Sequence, residues 1–211
     1  MHVAEIWRYP IKSLKGEQIQ EAEITLNGVR GDRELVVLNA AGRLVTSRSR
    51  PKLLGLEGSV DGDGVPTING FRWDSSEAGE LVNAAVGEPA QLVRVPQPQG
   101  FDVLPLLIAT DGAARYLQID HRRLRPNILL ADVPGLEERG WPGRVIRVGN
   151  LRIQAVKLRA RCVMTTFDPD TQQQDKSVLI KILRELDGTA ALDCSVIEPG
   201  MVRVGDEVEV L

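Results

Sequence analysis

The sequence predicts a mainly β protein with a few helices, in which the N-terminal half forms a small twisted sheet or partly closed barrel. Three observations support this prediction: strand-length runs recur, glycine- and proline-containing turns separate them, and long helical periods are scarce. The 211 residues are 43% hydrophobic and 26% charged, which is typical of a folded globular protein. A chain of this length can bury one sizeable core or two smaller ones that share an interface.

Six runs in the first half have the alternation or β-branched content of strands. Segments with turn composition, such as KSLKGE and VDGDGVP, lie between them. NAAGR, at residues 39–43, stands between two of the runs and predicts a hairpin. The six predicted strands are VAEIWRY (3–9), EAEIT (21–25), ELVVLN (34–39), LEGSV (56–60), ELVNAAV (80–86) and AQLVRV (90–95).

Proline and glycine interrupt every period in VPQPQGFDVLP, residues 95–105. This segment is the best candidate for a boundary, since a residue before proline is pushed away from helical geometry. We therefore expect an N-terminal module over residues 1–96 and a second domain over residues 97–211.

The second half predicts two helices among its strands. TDGAARYLQ is a short one, with Thr110 or Asp111 placed to cap its first turn. SVLIKILRELDG is the more definite one, with a buried face formed by Leu179, Ile182, Leu183 and Leu186 at helical spacing. The predicted strands are PNILLADV, GRVIRVG, LRIQAVKL and two in CSVIEPGMVRVGDEVEVL joined by a Pro-Gly turn.

Charge and composition exclude several classes of function. The net charge of −3 argues against a nucleic-acid-binding protein, which normally needs a basic excess. No apolar run approaches the roughly 20 residues that span a bilayer, so we expect no membrane partner and a cytoplasmic location. Two cysteines and two histidines make a zinc site with the usual ligand count improbable.

Cys162 stands in the stretch RARCVMTTFDPDTQ and has two interpretations. A free cysteine is usually a small buried apolar residue. Arg159 and Arg161, however, place positive charge near the sulfur, and this favours the thiolate that acts as nucleophile or metal ligand. The turn that follows would present the side chain to a cleft.

Five segments together resemble the MOSC-domain proteins and the β-barrel module that precedes this domain in some of them. The pattern is more similar to the mitochondrial amidoxime-reducing components and their bacterial counterparts than to the molybdenum-cofactor sulfurases, whose large pyridoxal-phosphate domain has no counterpart here. The resemblance covers nearly the whole chain, in the expected order, and implies a β-barrel MOSC domain preceded by a smaller β-barrel-like module. The segments are WRYPIKSLKGE (7–17), GVRGDRELVV (28–37), LRPNILL (124–130), RCVMTTFDPDT (161–171) and EPGMVRVGDEVEV (198–210).

This resemblance implies the molybdenum cofactor, in which a molybdopterin holds the metal through its sulfur atoms and Cys162 supplies a further sulfur ligand. Soft thiolates suit such a centre. A cofactor phosphate and a polar pterin edge need guanidinium forks, an ammonium and backbone amides. The residues that match the family pattern for this purpose are Lys12, Ser13, Arg30 or Arg33, Thr110, Arg125, Asn127 and Arg161.

Each of these residues also has a structural interpretation. A lone lysine such as Lys12 is usually a solvated turn residue, and Asn127 after Pro126 could be only a turn former. The arginines from Arg30 to Arg50 could form a charged face. Asp168 and Asp170 are better explained as shaping their turn than as an acid and a base. Cys194 alternates with Leu192 and Val196, which predicts a buried strand position, and LDCSV departs from the Phe-Gly pair often found there in relatives.

The resemblance implies an oxidoreductase that reduces N-hydroxylated compounds at the cysteine-ligated molybdenum. Such an enzyme needs a small N-oxygenated substrate and a separate electron donor, such as a ferredoxin, a cytochrome b5-like protein or a flavin reductase. Two alternatives remain open from the residues. The chain could carry the cofactor or sulfur without turnover, or it could be a β-rich interaction module in which Cys162 is inert.

Overall fold

The computed structural model describes residues 1–97 and 99–211. They form 17 strands and three α-helices, which confirms the predicted mainly β class. The strands are β1 (His2–Arg8), β2 (Glu17–Ile19), β3 (Glu21–Thr25), β4 (Gly28–Val29), β5 (Leu35–Asn39), β6 (Leu44–Val45), β7 (Gly58–Val60), β8 (Pro66–Ile68), β9 (Phe71–Arg72), β10 (Ala90–Arg94), β11 (Leu106–Thr110), β12 (Ile128–Ala131), β13 (Val145–Val148), β14 (Leu151–Ala160), β15 (Thr189–Glu198), β16 (Gly200–Arg203) and β17 (Val208–Val210). The helices are α1 (Ser76–Val86), α2 (Asp111–Leu117) and α3 (Lys176–Glu185).

The largest sheet has eight strands in the order β17-β13-β14-β15-β11-β12-β1-β2. Its strand ladder is open, so the predicted barrel closure is not seen in the ladder pattern. The sheet nevertheless curves back on itself, because an isolated antiparallel bridge joins His2 to Glu207 just before β17. Val3 N also donates to Asp206 O at 2.9 Å, and Gly205 N donates to Val3 O at 2.8 Å.

The two halves of the sequence are interleaved in space. Strand β1 pairs with β12, and β3 pairs with β16, so residues near the N-terminus complete sheets of the second half. The large core accordingly contains Val3 and Ile24 together with Ile108 and Cys194. A second core, which includes Leu35 and Val82, belongs to residues 11–92 alone.

Two helical segments differ from their predictions. The run 80–86, predicted as a strand, lies in α1, because Ser75 caps that helix and Ala78, Val82 and Val86 bury one face at four-residue spacing. In α3 the buried residues are Val178 and Ile182, followed by Leu186 just past its end, whereas Leu183 is 56% exposed. The predicted face is therefore rotated towards Val178.

Other local predictions are confirmed. Thr110 caps α2, since its hydroxyl accepts from Ala113 N at 3.1 Å. The NAAGR segment joins β5 to β6 as a hairpin, with Gly42 at a φ of 72°. Cys194 is fully buried, as its alternation predicted. No helix in the described part of the chain combines the length and apolar character needed to cross a bilayer.

Candidate functional site

A cleft lies where residues of the N-terminal half meet the end of β14. It encloses about 770 Å³ of space free of protein atoms, part of it open to solvent. Six cationic side chains line it, and Asp102 is the only acid among the described residues that do so. The six are Lys12, Arg33, Arg48, Arg125, Arg159 and Arg161. An excess of positive charge in a partly enclosed site favours an anionic ligand.

Cys162 sits at the point where β14 has ended and a 3₁₀ helix, Val163–Thr166, begins. Its backbone is extended, and its carbonyl accepts from both the backbone and the hydroxyl of Thr165, at 3.1 and 2.9 Å. This junction fixes the residue against the wall of the cleft, where it is half-buried. Burial lowers the pKa of the neighbouring Arg48 guanidinium, but the Asp102 carboxylate and the Cys162 sulfur outweigh it and raise that pKa overall.

Three lining residues have left-handed backbone conformations that side chains rarely adopt. The φ angles are 77° at Ser13, 54° at Arg33 and 55° at Arg125. Each such residue costs on the order of 1 kcal/mol or more, and such strain clusters at functional sites. Here it turns two guanidinium groups and one hydroxyl towards the same cleft.

Two of the guanidinium groups stack on one aromatic ring. Arg125 lies 4.4 Å and Arg33 lies 4.7 Å from the centre of the Tyr9 ring. The Tyr9 hydroxyl donates to Pro126 O at 3.1 Å, which anchors the ring. Loss of hydration lowers the pKa of Arg125 to about 10, and the positive charge of Arg33 adds to that effect. The Tyr9 ring thus contacts two like charges that both line the cleft.

Only part of the Arg161 guanidinium group is hydrogen-bonded within the described protein. One of its terminal amino groups donates to Leu124 O at 2.8 Å, whereas its Nε is buried without a hydrogen-bond partner among the described residues. Burial lowers its pKa to about 10, and the charge of Arg159 acts in the same direction. A buried guanidinium with an unused donor is an unfavourable arrangement that an anionic ligand would relieve.

Asn127 lines the cleft, but its side chain is occupied by the protein. Its amide oxygen accepts from Leu107 N at 3.2 Å, and its amide nitrogen donates to Asp32 Oδ2 at 3.0 Å. Asp32, which is buried, also accepts from Tyr9 N at 2.6 Å and pairs with Arg33. Asn127 therefore joins the two halves of the chain behind the site.

Two residues predicted for the site lie away from the cleft. Arg30 is exposed and forms a two-point ion pair with Glu23, at 2.5 and 2.7 Å. Thr110 is fully buried, and its hydroxyl donates to Glu138 Oε2 at 3.2 Å while it caps α2. Neither residue is among those that line the cleft. Of the pair Arg30 and Arg33, the structure brings only Arg33 to the other site residues.

Four residues of the site were not singled out as ligand-binding residues from the sequence. Arg48 and Asp102 stand far apart in the chain and meet only through folding, at 2.8 Å. Tyr9 sits in the motif around Lys12, but nothing in the sequence shows that its ring carries two arginines. Arg159 was noted for its charge near Cys162, but its contact with Asp193 depends on the pairing of β14 with β15.

Comparison with known families finds two matches that together span most of the chain. The family model for the MOSC N-terminal beta barrel domain matches residues 1–92. The family model for the MOSC domain matches residues 106–209. The matched regions include every residue of the cleft except those in the short connection between them.

Individual proteins give the same result at low identity. The human protein named mitochondrial amidoxime-reducing component 1 is 27% identical over 99% of this chain and 82% of its own length. A Caenorhabditis elegans protein named molybdenum cofactor sulfurase is 22% identical over 85% of this chain and 31% of its own length. The crystal structure of the YuaD protein from Bacillus subtilis superposes with a TM-score of 0.52 at 13% identity, covering 99% of this chain and 94% of that one, and supports the fold alone.

Proposed function

The chain belongs to the MOSC-domain proteins, and from that membership we propose that it is a molybdenum-cofactor-dependent oxidoreductase that reduces N-hydroxylated compounds. The names of its relatives associate the family with amidoxime reduction and with the molybdenum cofactor. For this chain, the reaction, the cofactor and the role of each residue are our proposal.

One observation carries the proposal: a half-buried thiol, Cys162, shares a cleft with six cations. An anion-binding cleft alone would suit many ligands. A soft sulfur donor within it suits a ligand that combines phosphate with a thiophilic metal. The molybdenum cofactor has both features.

The chemistry of the side chains fits this group. The unused Nε of Arg161 and the strained, cleft-facing Ser13 and Arg33 are unfavourable features in the protein alone. Each would be offset by an anionic, hydrogen-bonding ligand. We assign Cys162 as the metal ligand, with Lys12, Ser13, Arg33, Arg125 and Arg161 around the cofactor.

When bound, the cofactor supplies the two-electron redox chemistry of molybdenum, and the protein supplies orientation and charge. The Tyr9 stack would hold Arg33 and Arg125 in fixed positions, which limits the entropy lost when an anion binds. Arg48, beside the Cys162 sulfur, would place a positive charge next to the metal-bound sulfur and offset its negative charge. A separate electron-transfer protein would supply the electrons.

The test is molybdenum and pterin content per chain, after expression in a host that makes the cofactor. We expect near-stoichiometric content in the wild type and loss of metal in Cys162→Ser. Cys194→Ala is the matched control, because Cys194 is buried in the core and away from the cleft. Equal metal content in the wild type and Cys162→Ser would refute the assignment.

The same purified proteins can distinguish a reductase from a protein that only carries the cofactor. With a reductant and an electron-transfer partner present, an enzyme converts benzamidoxime to benzamidine. Retention of cofactor without any such turnover, across several donors, would favour the alternative in which the chain binds cofactor or sulfur without its own reaction.

A further inference from the structure

The wall of the cleft beside Cys162 contains an arginine held from behind by a fully buried acid. Arg159 Nε lies 2.7 Å from Asp193 Oδ1, and the two side chains are 16% and 1% exposed. Arg159 lines the cleft. Neither carboxylate oxygen of Asp193 has an aligned hydrogen-bond partner among the described residues. Such a pair is costly to bury, so its retention calls for an explanation.

Irregular pairing of two strands brings these residues together. Lys157 in β14 is opposite Asp193 in β15, and the register then shifts between Leu158 and Ala160. At this shift β15 contributes an extra residue, and Ala191 adopts a φ of 66°. Bulges of this kind redirect side chains and are common beside active sites. Because alternate residues share a face, Arg159 lies on the same side of the sheet as Lys157 and Asp193.

Arg159 contacts Asp193 through its Nε atom. No hydrogen bond joins the terminal amino groups of Arg159 to a described residue, so its outer fork is free for a ligand in the cleft. A guanidinium fork matches the planar oxygen pair of a carboxylate. A fixed fork near the reacting centre also discriminates between charged and neutral ligands.

We propose that Arg159, positioned by Asp193, is a specificity residue that binds a carboxylate carried by the substrate. The inference rests on the proposed function and narrows its substrate class to N-hydroxylated compounds that are also acids. The same fork could instead meet the cofactor phosphate, and metal content in an Arg159 variant distinguishes these two sources of anion.

The experiment compares benzamidoxime, which lacks a carboxylate, with its 3-carboxy and 4-carboxy derivatives. For wild-type holoenzyme, we expect kcat/KM to favour at least one of the acids by about 10- to 100-fold, the range for a hydrogen-bonded charge pair. Arg159→Gln should reduce that ratio to about one, through a higher KM for the acids. Arg159→Lys keeps the charge without the fork and should retain part of the ratio.

Two further variants separate positioning from general damage. Arg152→Gln is the matched control, because Arg152 lies on β14 but pairs with Glu198 at the surface, 3.6 Å away. It should leave the ratio unchanged. Asp193→Asn should lower the ratio for the acids more than turnover of the neutral compound. A purely structural role for Asp193 would change melting temperature and affect all three compounds equally.

The readouts keep this inference separate from the proposed function. Molybdenum content that falls in Arg159→Gln would assign the fork to the cofactor and overturn the inference. Equal preference for acid and neutral compounds in the wild type, or a preference that survives Arg159→Gln, would also overturn it. If the wild type shows no turnover, calorimetric titration with the same compounds decides: selective binding of an acid that Arg159→Gln abolishes supports the inference, and its absence refutes it.

Discussion

The Lys12 ammonium lies 2.6 Å from the Asp102 carboxylate, whose other oxygen accepts from Arg48 at 2.8 Å. Lys12 also donates to Gly100 O at 2.8 Å. Burial lowers the pKa of Lys12, while Asp102 partly compensates. The carboxylate of Asp102 thus pairs with two of the six cations that line the cleft.

Asp102 competes with any anion for these cations. Asp102→Asn should therefore bind inorganic phosphate more tightly, with an affinity raised about several-fold by the loss of one competing charge. Calorimetric titration of cofactor-free protein would measure this. Asp63→Asn, in an exposed turn, is the control. Weaker binding in Asp102→Asn would mean instead that the carboxylate orients the cations and does not compete with the ligand.

Substitutions at Ser13 should separate the effect of its backbone strain on stability from the effect of its hydroxyl on cofactor binding. Its φ of 77° suits glycine, so Ser13→Gly should raise the free energy of unfolding by about 1 kcal/mol relative to Ser13→Ala. Both variants lack the hydroxyl and should retain less cofactor than the wild type if that hydroxyl binds it. Urea denaturation and molybdenum content give the two quantities. Identical stability of the Gly and Ala variants would contradict the strain argument.

Local chemistry made much of the fold predictable. Thr110 as a cap and NAAGR as a hairpin depend on a few adjacent residues, and both predictions were confirmed. Segment 80–86 was predicted wrongly because its alternation over seven residues also fits the face of a helix. The pairing of β1 with β12 could not be predicted, since it joins residues more than 100 positions apart.

In the site too, features set by adjacent residues could be predicted and features set by distant residues could not. Cys162 and Arg161 stand in one motif, so the sequence alone could place them together. The contact of Arg159 with Asp193 joins β14 to β15, and strand register is not encoded in a motif. Thr110 fits its helix cap so well that its hydroxyl is used within the protein, which the sequence pattern could not reveal.

Asp32 should be among the most sensitive polar residues for folding. It is buried and receives hydrogen bonds from Tyr9 N and Asn127 while it pairs with Arg33. Asp32→Ala leaves those donors unpaired, and we expect a loss of about 3–5 kcal/mol in the free energy of unfolding by urea. Asp63→Ala is the exposed control. A loss below about 1 kcal/mol would show that water replaces the carboxylate.

The turn after Cys162 should respond to acid through Asp170. Hydrogen bonds from Arg122 and Lys15 lower the pKa of this carboxyl group to about 2, from its ordinary value of 3.8. A lowered folded-state pKa gives stability that is present above the unfolded pKa and is lost as pH falls through the folded one. Asp170→Asn should therefore be less stable than the wild type near neutral pH, and the difference should disappear between about pH 4 and pH 2. Because the side chain is 53% exposed, the effect should be small, below about 1 kcal/mol. Urea unfolding across this pH range would measure it, and a difference that persists at pH 2 would show that the substitution acts through the turn's geometry and not through its charge.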